Sequence, residues 1–360
     1  MTSRRTILQL AGVAPFAGSA SAAAIPWPRA ESRDTPKIAL DFSWADRTES
    51  SMRWLKQIGV HWVFAGGPRL PWEESRLRSM MDSYGAGGLS VGNMMIGGFT
   101  NAIYGRPGRD EEIEKVQQSI RAAGKVSLPV VEYNWYAHRA MEGYYADTGR
   151  AGSGVTAFDY SRMKDLPPLA EEGAHTLDEM WSNISYFLKA VVPVAAESGV
   201  RLALHPNDPP APLSRGSQQI MGTVAGWRRL IGIVDSPSNG ITFDCGVTRE
   251  MGEDPAEVCR YFATRDRINH VHYRNVRVEK PYEKYQEVFI DEGEVDMFAV
   301  MQELVRAKYT RLINPEHPRA LDVDRERPGF RPQYPGAGGF TAFAYNVAYT
   351  RAMLQAALAS

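Results

Sequence analysis

From residue 37 to its C-terminus the chain alternates short apolar runs with amphipathic stretches, eight times over. A run of a few apolar and β-branched residues bounded by turn residues is a buried strand, whereas apolar residues three and four apart form one helix face. Strands are predicted at Ile38–Phe42, His61–Ala65, Leu89–Met95, Leu128–Asn134, Arg201–His205, Ile241–Cys245, His270–Arg274 and Arg311–Asn314. Helices are predicted between and after them, at Glu49–Ile58, Glu73–Tyr84, Glu111–Ala123, Leu177–Ser198, Val224–Val234, Pro255–Ala263, Met297–Lys308 and Phe343–Leu358. The fourth of these is the clearest: Thr176 and Glu179 make a capping box, Leu177, Trp181, Ile184, Leu188 and Val191 share one face, and Pro193 predicts a kink.

Eight strand-helix units are read as a closed α/β barrel of the (β/α)8 kind, in one domain spanning 37–360. An open doubly wound sheet would give the same local signals, but no Gly-rich dinucleotide fingerprint follows an early strand. A net charge of -1 gives no electrostatic reason to expect nucleic acid or a membrane surface as partner, so a small polar molecule is expected. The oligomeric state stays open, a homo-oligomer included.

Residues 1–24 do not belong to this pattern. Arg4 and Arg5 precede a weakly apolar, Ala/Gly-rich run too short to anchor in a bilayer, and Ala20, Ala22 and Ala24 offer cleavage sites. The segment resembles a twin-arginine signal peptide and predicts export to the periplasm, with the Pro-rich residues 25–36 as linker. The two cysteines, Cys245 and Cys259, have neither a disulfide framework's number nor zinc-finger spacing; an exported protein could pair them, but their separation suits a strand end and the following helix, so a bridge is possible rather than expected.

In a (β/α)8 barrel the site is built at the C-terminal strand ends. Those ends carry Glu132 and Asn134, His205 and Asp208, Asp244, then His272, Arg274 and Asn275, and finally Glu316 and His317. Imidazoles and carboxylates from successive strands suit a divalent metal such as Mn²⁺, Fe²⁺, Mg²⁺ or Zn²⁺. A histidine met alone, such as His61 or His138, is more often hydrogen-bonded or solvated than a ligand. Strand alternation puts Ile241, Phe243 and Cys245 on the helix-facing side and Asp244 inward. The same alternation sets His272 at the rim and His270 one layer deeper, and leaves Glu316 to bind metal with His317 free for proton transfer. The roughly forty residues between Trp135 and His175, a loop at about 136–174, predict a lid over this face. Its Trp135, Tyr136, Tyr144, Tyr145 and Tyr160 suit either stacking on a sugar or ordinary packing.

Five ordered motifs carry a family resemblance: GVRLALHPNDPP from Gly199, VDSPSNGITF from Val234, HVHYRNV from His270, GEVDM from Gly293 and NPEHPR from Asn314. Together they resemble mannonate dehydratase, a xylose isomerase-like TIM-barrel family, from about Val60 to the last helix. The resemblance implies a hydro-lyase converting D-mannonate to 2-keto-3-deoxy-D-gluconate with Mn²⁺ or Fe²⁺. By that resemblance His205, Asp244, His272 and Glu316 hold the metal, and His317 stands at a proposed acid/base position. The chain departs from the family pattern at Asn207 (family Asp), at Asp244 (family Cys), at Glu316 (family Asp) and at Ile290 (family His). Carboxylate in place of thiolate favours oxygen-loving ions such as Mn²⁺ or Mg²⁺.

Site expectations beyond the ligands are His317, Arg274 and Asp208 as catalytic groups, with a Tyr or Asp of the long loop as second proton carrier. Glu132, Asn134, Arg139 and Asn275 are expected to bind substrate, the guanidiniums of Arg274 and Arg139 being suited to a sugar-acid carboxylate. The rivals are a metal-dependent sugar isomerase or epimerase, a keto-sugar lyase, and a barrel that binds sugar without catalysis.

Overall fold

The computed structural model describes residues 28–29, 31–42 and 47–360. The signal-peptide expectation for 1–24 therefore lies outside the described residues. Strands β1 (Lys37–Asp41), β2 (Trp62–Gly66), β3 (Ser90–Met95) and β4 (Val130–Tyr133) are followed by β5 (Tyr144–Thr148), β6 (Gly154–Asp159) and β7 (Arg201–Leu204). A small hairpin, β8 (Leu213–Ser214) and β9 (Ser217–Gln218), comes next. The remaining strands are β10 (Asn239–Asp244), β11 (Ile268–His272), β12 (Val276–Lys280), β13 (Lys284–Glu287) and β14 (Leu312–Asn314).

Eight of them close a parallel barrel in the order β1-β14-β11-β10-β7-β4-β3-β2. These are the eight predicted strands, with ends moved by a few residues. Helices pack around them because each leaves its apolar stripe on the barrel: the 21-residue helix Leu177–Glu197 buries Trp181, Ile184, Leu188 and Val191, and its capping box forms with both hydrogen bonds in place. Among the described residues no helix is long and apolar enough to cross a membrane.

The barrel interior is partly polar. Glu132 is fully buried and accepts from Asn93 Nδ2 at 2.6 Å and Thr242 Oγ1 at 2.7 Å. His270 lies in the same layer, its ring 5.0 Å from that of Phe64. At the opposite end, Asp266 takes a hydrogen bond from Arg201 Nη2 at 2.6 Å and from Arg311 Nη2 at 2.9 Å, fastening the entries of β7, β11 and β14. Burial works against its charge, but the two guanidiniums outweigh burial and hold the carboxyl below its ordinary range. That stabilisation is present above the ordinary Asp pKa and is lost as pH falls through the lowered one. Asp266→Asn also suits the φ of +53° there. The exposed pair is expected to be worth about 0.5–1 kcal/mol at neutral pH. Urea midpoints of variant and parent should converge below roughly pH 4, since only the ionised aspartate gains from the pair.

Two loops hold structure that strand-helix alternation does not reveal. The long loop contains β5 and β6, and the segment after β11 contains β12 and β13. They join as one antiparallel sheet in the order β12-β13-β6-β5, with Glu287 opposite Thr156. This sheet roofs the C-terminal face of the barrel.

Candidate active site

The side chains that meet under the roof are set by strand ends. His205 directly follows β7, and its Nδ1 lies 2.7 Å from the carbonyl oxygen of Pro206. A carbonyl only accepts, so Nδ1 carries the proton and Nε2 presents a lone pair. That lone pair lies 3.1 Å from Nδ1 of His272, the last residue of β11. Glu316 Oε2 is also 3.1 Å from His272 Nδ1, and Asp244 Oδ2, at the end of β10, is 3.9 Å from it. Burial, with the neighbouring His272 charge added, drives His205 down to about 3. Burial disfavours charge on His272 too, but Glu316, Glu132 and Asp244 outweigh it and hold its pKa at about 9. Burial pushes Asp244 up to about 6 against the pull of Arg274. His205, Asp244 and Glu316 thus gather around His272 Nδ1, and two imidazoles with two carboxylates have the donor chemistry of a divalent Mn²⁺, Fe²⁺ or Mg²⁺ site.

Asp244 is more than a ligand candidate. It is the N-cap of the helix Cys245–Glu250, Oδ1 accepting from the Val247 N–H at 2.8 Å. The strand thus ends at Asp244, one residue before its predicted end, and the chain turns helical at Cys245. Cys245 faces away from the site, its thiol bonded to the carbonyls of His272 and Arg274, and both cysteines are free.

The D-mannonate dehydratase (UxuA) family model matches residues 169–356, just over half of the chain. This chain belongs to the mannonate dehydratase family. The mannonate dehydratase of Thermotoga petrophila is 31% identical over 264 residues, covering 63% of this chain and 72% of that protein. The Lactococcus lactis enzyme is 26% identical over 298 residues, covering 72% and 82%. The crystal structure of mannonate dehydratase from Streptococcus suis superposes with a TM-score of 0.80 at 26% identity, over 90% of this chain and 95% of that one. An L-ribulose 3-epimerase structure at 14% identity and TM-score 0.56 shares the fold. The family is one of metal-dependent hydro-lyases, which agrees with the donor cluster of His205, Asp244 and His272, whose ligand atoms lie within 4.8 Å of one another, and with Glu316 beside His272.

Around this donor cluster lies a cavity of about 350 Å³. Its walls include Asn134, Tyr136, Arg139, Tyr144, His205, Asp208, His272, Glu316 and His317, together with Asp41, Thr156, Glu287, Asn314 and Tyr334. Asp208 accepts from Tyr144 Oη at 2.5 Å and stands 3.7 Å from Arg139 Nη2. His317 Nδ1 lies 2.9 Å from Glu287 Oε2, and the His317 and Tyr334 rings are 4.7 Å apart.

Three expected contacts are not on the cavity wall. Arg274 is 2% exposed, and its Nε reaches Asp244 Oδ2 at 3.0 Å and Glu316 Oε1 at 3.3 Å, while Nη1 reaches Glu250 at 2.7 Å. It organises carboxylates rather than meeting a substrate, because the roof and the helix Cys245–Glu250 enclose it. Glu132 sits a layer below, bonded within the barrel, with Oε1 3.8 Å from His272 Nε2. Asn275 is buried and spends its amide on the carbonyls of Ile290 and Val295. The departures at Asn207 and Ile290 also lie off the cavity: Asn207 accepts from the Met221 N–H, and Ile290 is core. Of the loop aromatics, Tyr136 and Tyr144 line the cavity, whereas Trp135 packs with Phe99 and Phe187. His138 pairs with Glu142 at 3.0 Å.

Glu287, Tyr334 and Arg319 escape a reading based on barrel-strand ends. Glu287 belongs to a roof strand. Tyr334 follows an irregular Pro/Gly-rich stretch, and Arg319 is distinguished from other arginines only by being enclosed.

Proposed function

We propose that this chain dehydrates D-mannonate to 2-keto-3-deoxy-D-gluconate, with a divalent cation held by His205, Asp244, His272 and Glu316. The observation that carries this reading is the convergence of these four donors beside His317, in a chain of the mannonate dehydratase family. When bound, the cation supplies Lewis-acid stabilisation of the enediolate charge that forms once a proton leaves C2. Its identity as Mn²⁺, Fe²⁺ or Mg²⁺ is part of the proposal.

The chain's own residues do the rest. His317 Nε2 takes the C2 proton, since Nδ1 is committed to Glu287. The C3 hydroxyl departs as water after receiving a proton, and the resulting enol becomes the keto product. The proton for that hydroxyl comes from Tyr334, which lines the cavity with its ring against that of His317 and its Oη 3.4 Å from the Arg319 guanidinium, a charge that favours release of the proton. Tyr144, the loop tyrosine nearest the site, is already donating to Asp208. Arg139, exposed on the cavity wall, has N–H groups to spare for the substrate carboxylate. Tyr136 and Asn134 complete the sugar-acid contacts.

Mass spectrometry of D-mannonate incubated with the Mn²⁺-supplied protein tests this. A product lighter by one water is expected, and none with His272→Ala. A changed sugar of unchanged mass would instead support an isomerase or epimerase.

A further inference from the structure

We propose that Glu287, carried by the antiparallel roof, is a positioning residue that fixes the tautomer and aim of His317, so that the lid is itself part of the proton-transfer machinery. This rests on the proton-transfer role given to His317 above.

Glu287 is a carboxylate only 2% exposed, on a strand outside the barrel, and a charge so placed has to be matched by nearby partners. Its Oε2 faces His317 Nδ1 at 2.9 Å and Arg319 Nη2 at 3.0 Å. Arg319 is buried as well. It donates to Thr156 Oγ1 on β6 at 2.7 Å, to the Glu287 carbonyl on β13 at 3.2 Å and to the His317 carbonyl at 2.7 Å. One guanidinium therefore ties two paired roof strands to the turn that bears the histidine. That turn needs holding, since His317 has φ +49°, a left-handed conformation costing a non-glycine residue roughly 1 kcal/mol.

The chemical consequence follows from the acceptor. Arg319, a guanidinium that is always charged, donates to Glu287 Oε2 at 3.0 Å and to its carbonyl oxygen at 3.2 Å, so the buried carboxyl stays ionised beside a neutral His317. An ionised carboxylate only accepts, so His317 Nδ1 bears hydrogen and Nε2 is the free lone pair, 3.7 Å from Glu316 Oε2 at the cation site. Removing Glu287 releases the ring to the other tautomer and to rotation, while the proposed ligands His205, Asp244, His272 and Glu316 keep their own partners.

The test compares Glu287→Ala and Glu287→Gln with the parent, by steady-state kinetics with D-mannonate and by ¹⁵N imidazole spectra, the His317 signals being assigned with His317→Ala. For Glu287→Ala, kcat is expected to fall about 10–100-fold, the usual cost of removing such an orienting partner. KM and bound Mn²⁺ should stay unchanged, and His317 should lose its Nδ1–H signature. Glu287→Gln keeps an acceptor oxygen and is expected to restore the tautomer and most of the rate. A His317 spectrum identical in parent and Glu287→Ala would overturn the proposal, as would a glutamine variant that folds and binds Mn²⁺ yet is as slow as the alanine one. If instead Glu287→Ala shifts the tautomer while His317→Ala itself turns over normally, the positioning stands and the proton-transfer role fails.

Discussion

Arg274→Met is expected to destabilise the chain by about 3–5 kcal/mol, the cost of removing one partner from a buried ion pair, and to empty the divalent site. The guanidinium is enclosed and faces Asp244, Glu250 and Glu316 within 3.3 Å, with Asp208 and Glu287 at 3.6 Å. Methionine fills similar space but leaves Asp244, Glu250 and Glu316 without the guanidinium they share. Asp244 and Glu316 should then protonate or turn apart, and either change spoils the donor set. Lysine would not repair the site: one ammonium cannot fork between Asp244 on one side and Glu250 on the other. Urea unfolding measures the first part and metal content after dialysis the second. A methionine variant with the parent's urea midpoint and a full complement of Mn²⁺ would mean that these carboxylates are carried uncharged, and that Arg274 does not organise them.

The second large effect separates binding from chemistry. His317→Ala is expected to lower kcat by about 10²–10⁴-fold, the range for losing a positioned general base. The Mn²⁺ content should be that of the parent, because the four proposed ligands lie on other residues. His272→Ala, by contrast, should lose metal and turnover together. Kinetics paired with metal analysis distinguishes them, and a His317→Ala protein that lost its Mn²⁺ would reassign that histidine to the ligand set.

Several features of this site are written locally. Strand alternation around Asp244 separates it from Cys245, and the structure has the carboxylate inward and the thiol turned to backbone carbonyls. Alternation along β11 likewise separates rim His272 from deeper His270. Arg274 was expected to meet substrate because it lies two residues past His272, yet whether an arginine there meets solvent or five carboxylates depends on what covers it. The same holds for Glu132 and Asn275, whose strand-end positions are legible but whose partners are Asn93, Thr242 and the backbone at Ile290 and Val295.

What the sequence determined by itself is the eight strand-helix units and the donor types at the strand ends, because both rest on short-range rules: apolar periodicity, capping, and the two-residue repeat of a strand. Only the tertiary structure decided that the loop after β4 and the segment after β11 pair into one roof, and that this roof brings Glu287 to His317. Thr156 and Glu287 are brought opposite each other by the barrel's closure, and a pairing between segments so distant leaves no periodic trace in either one.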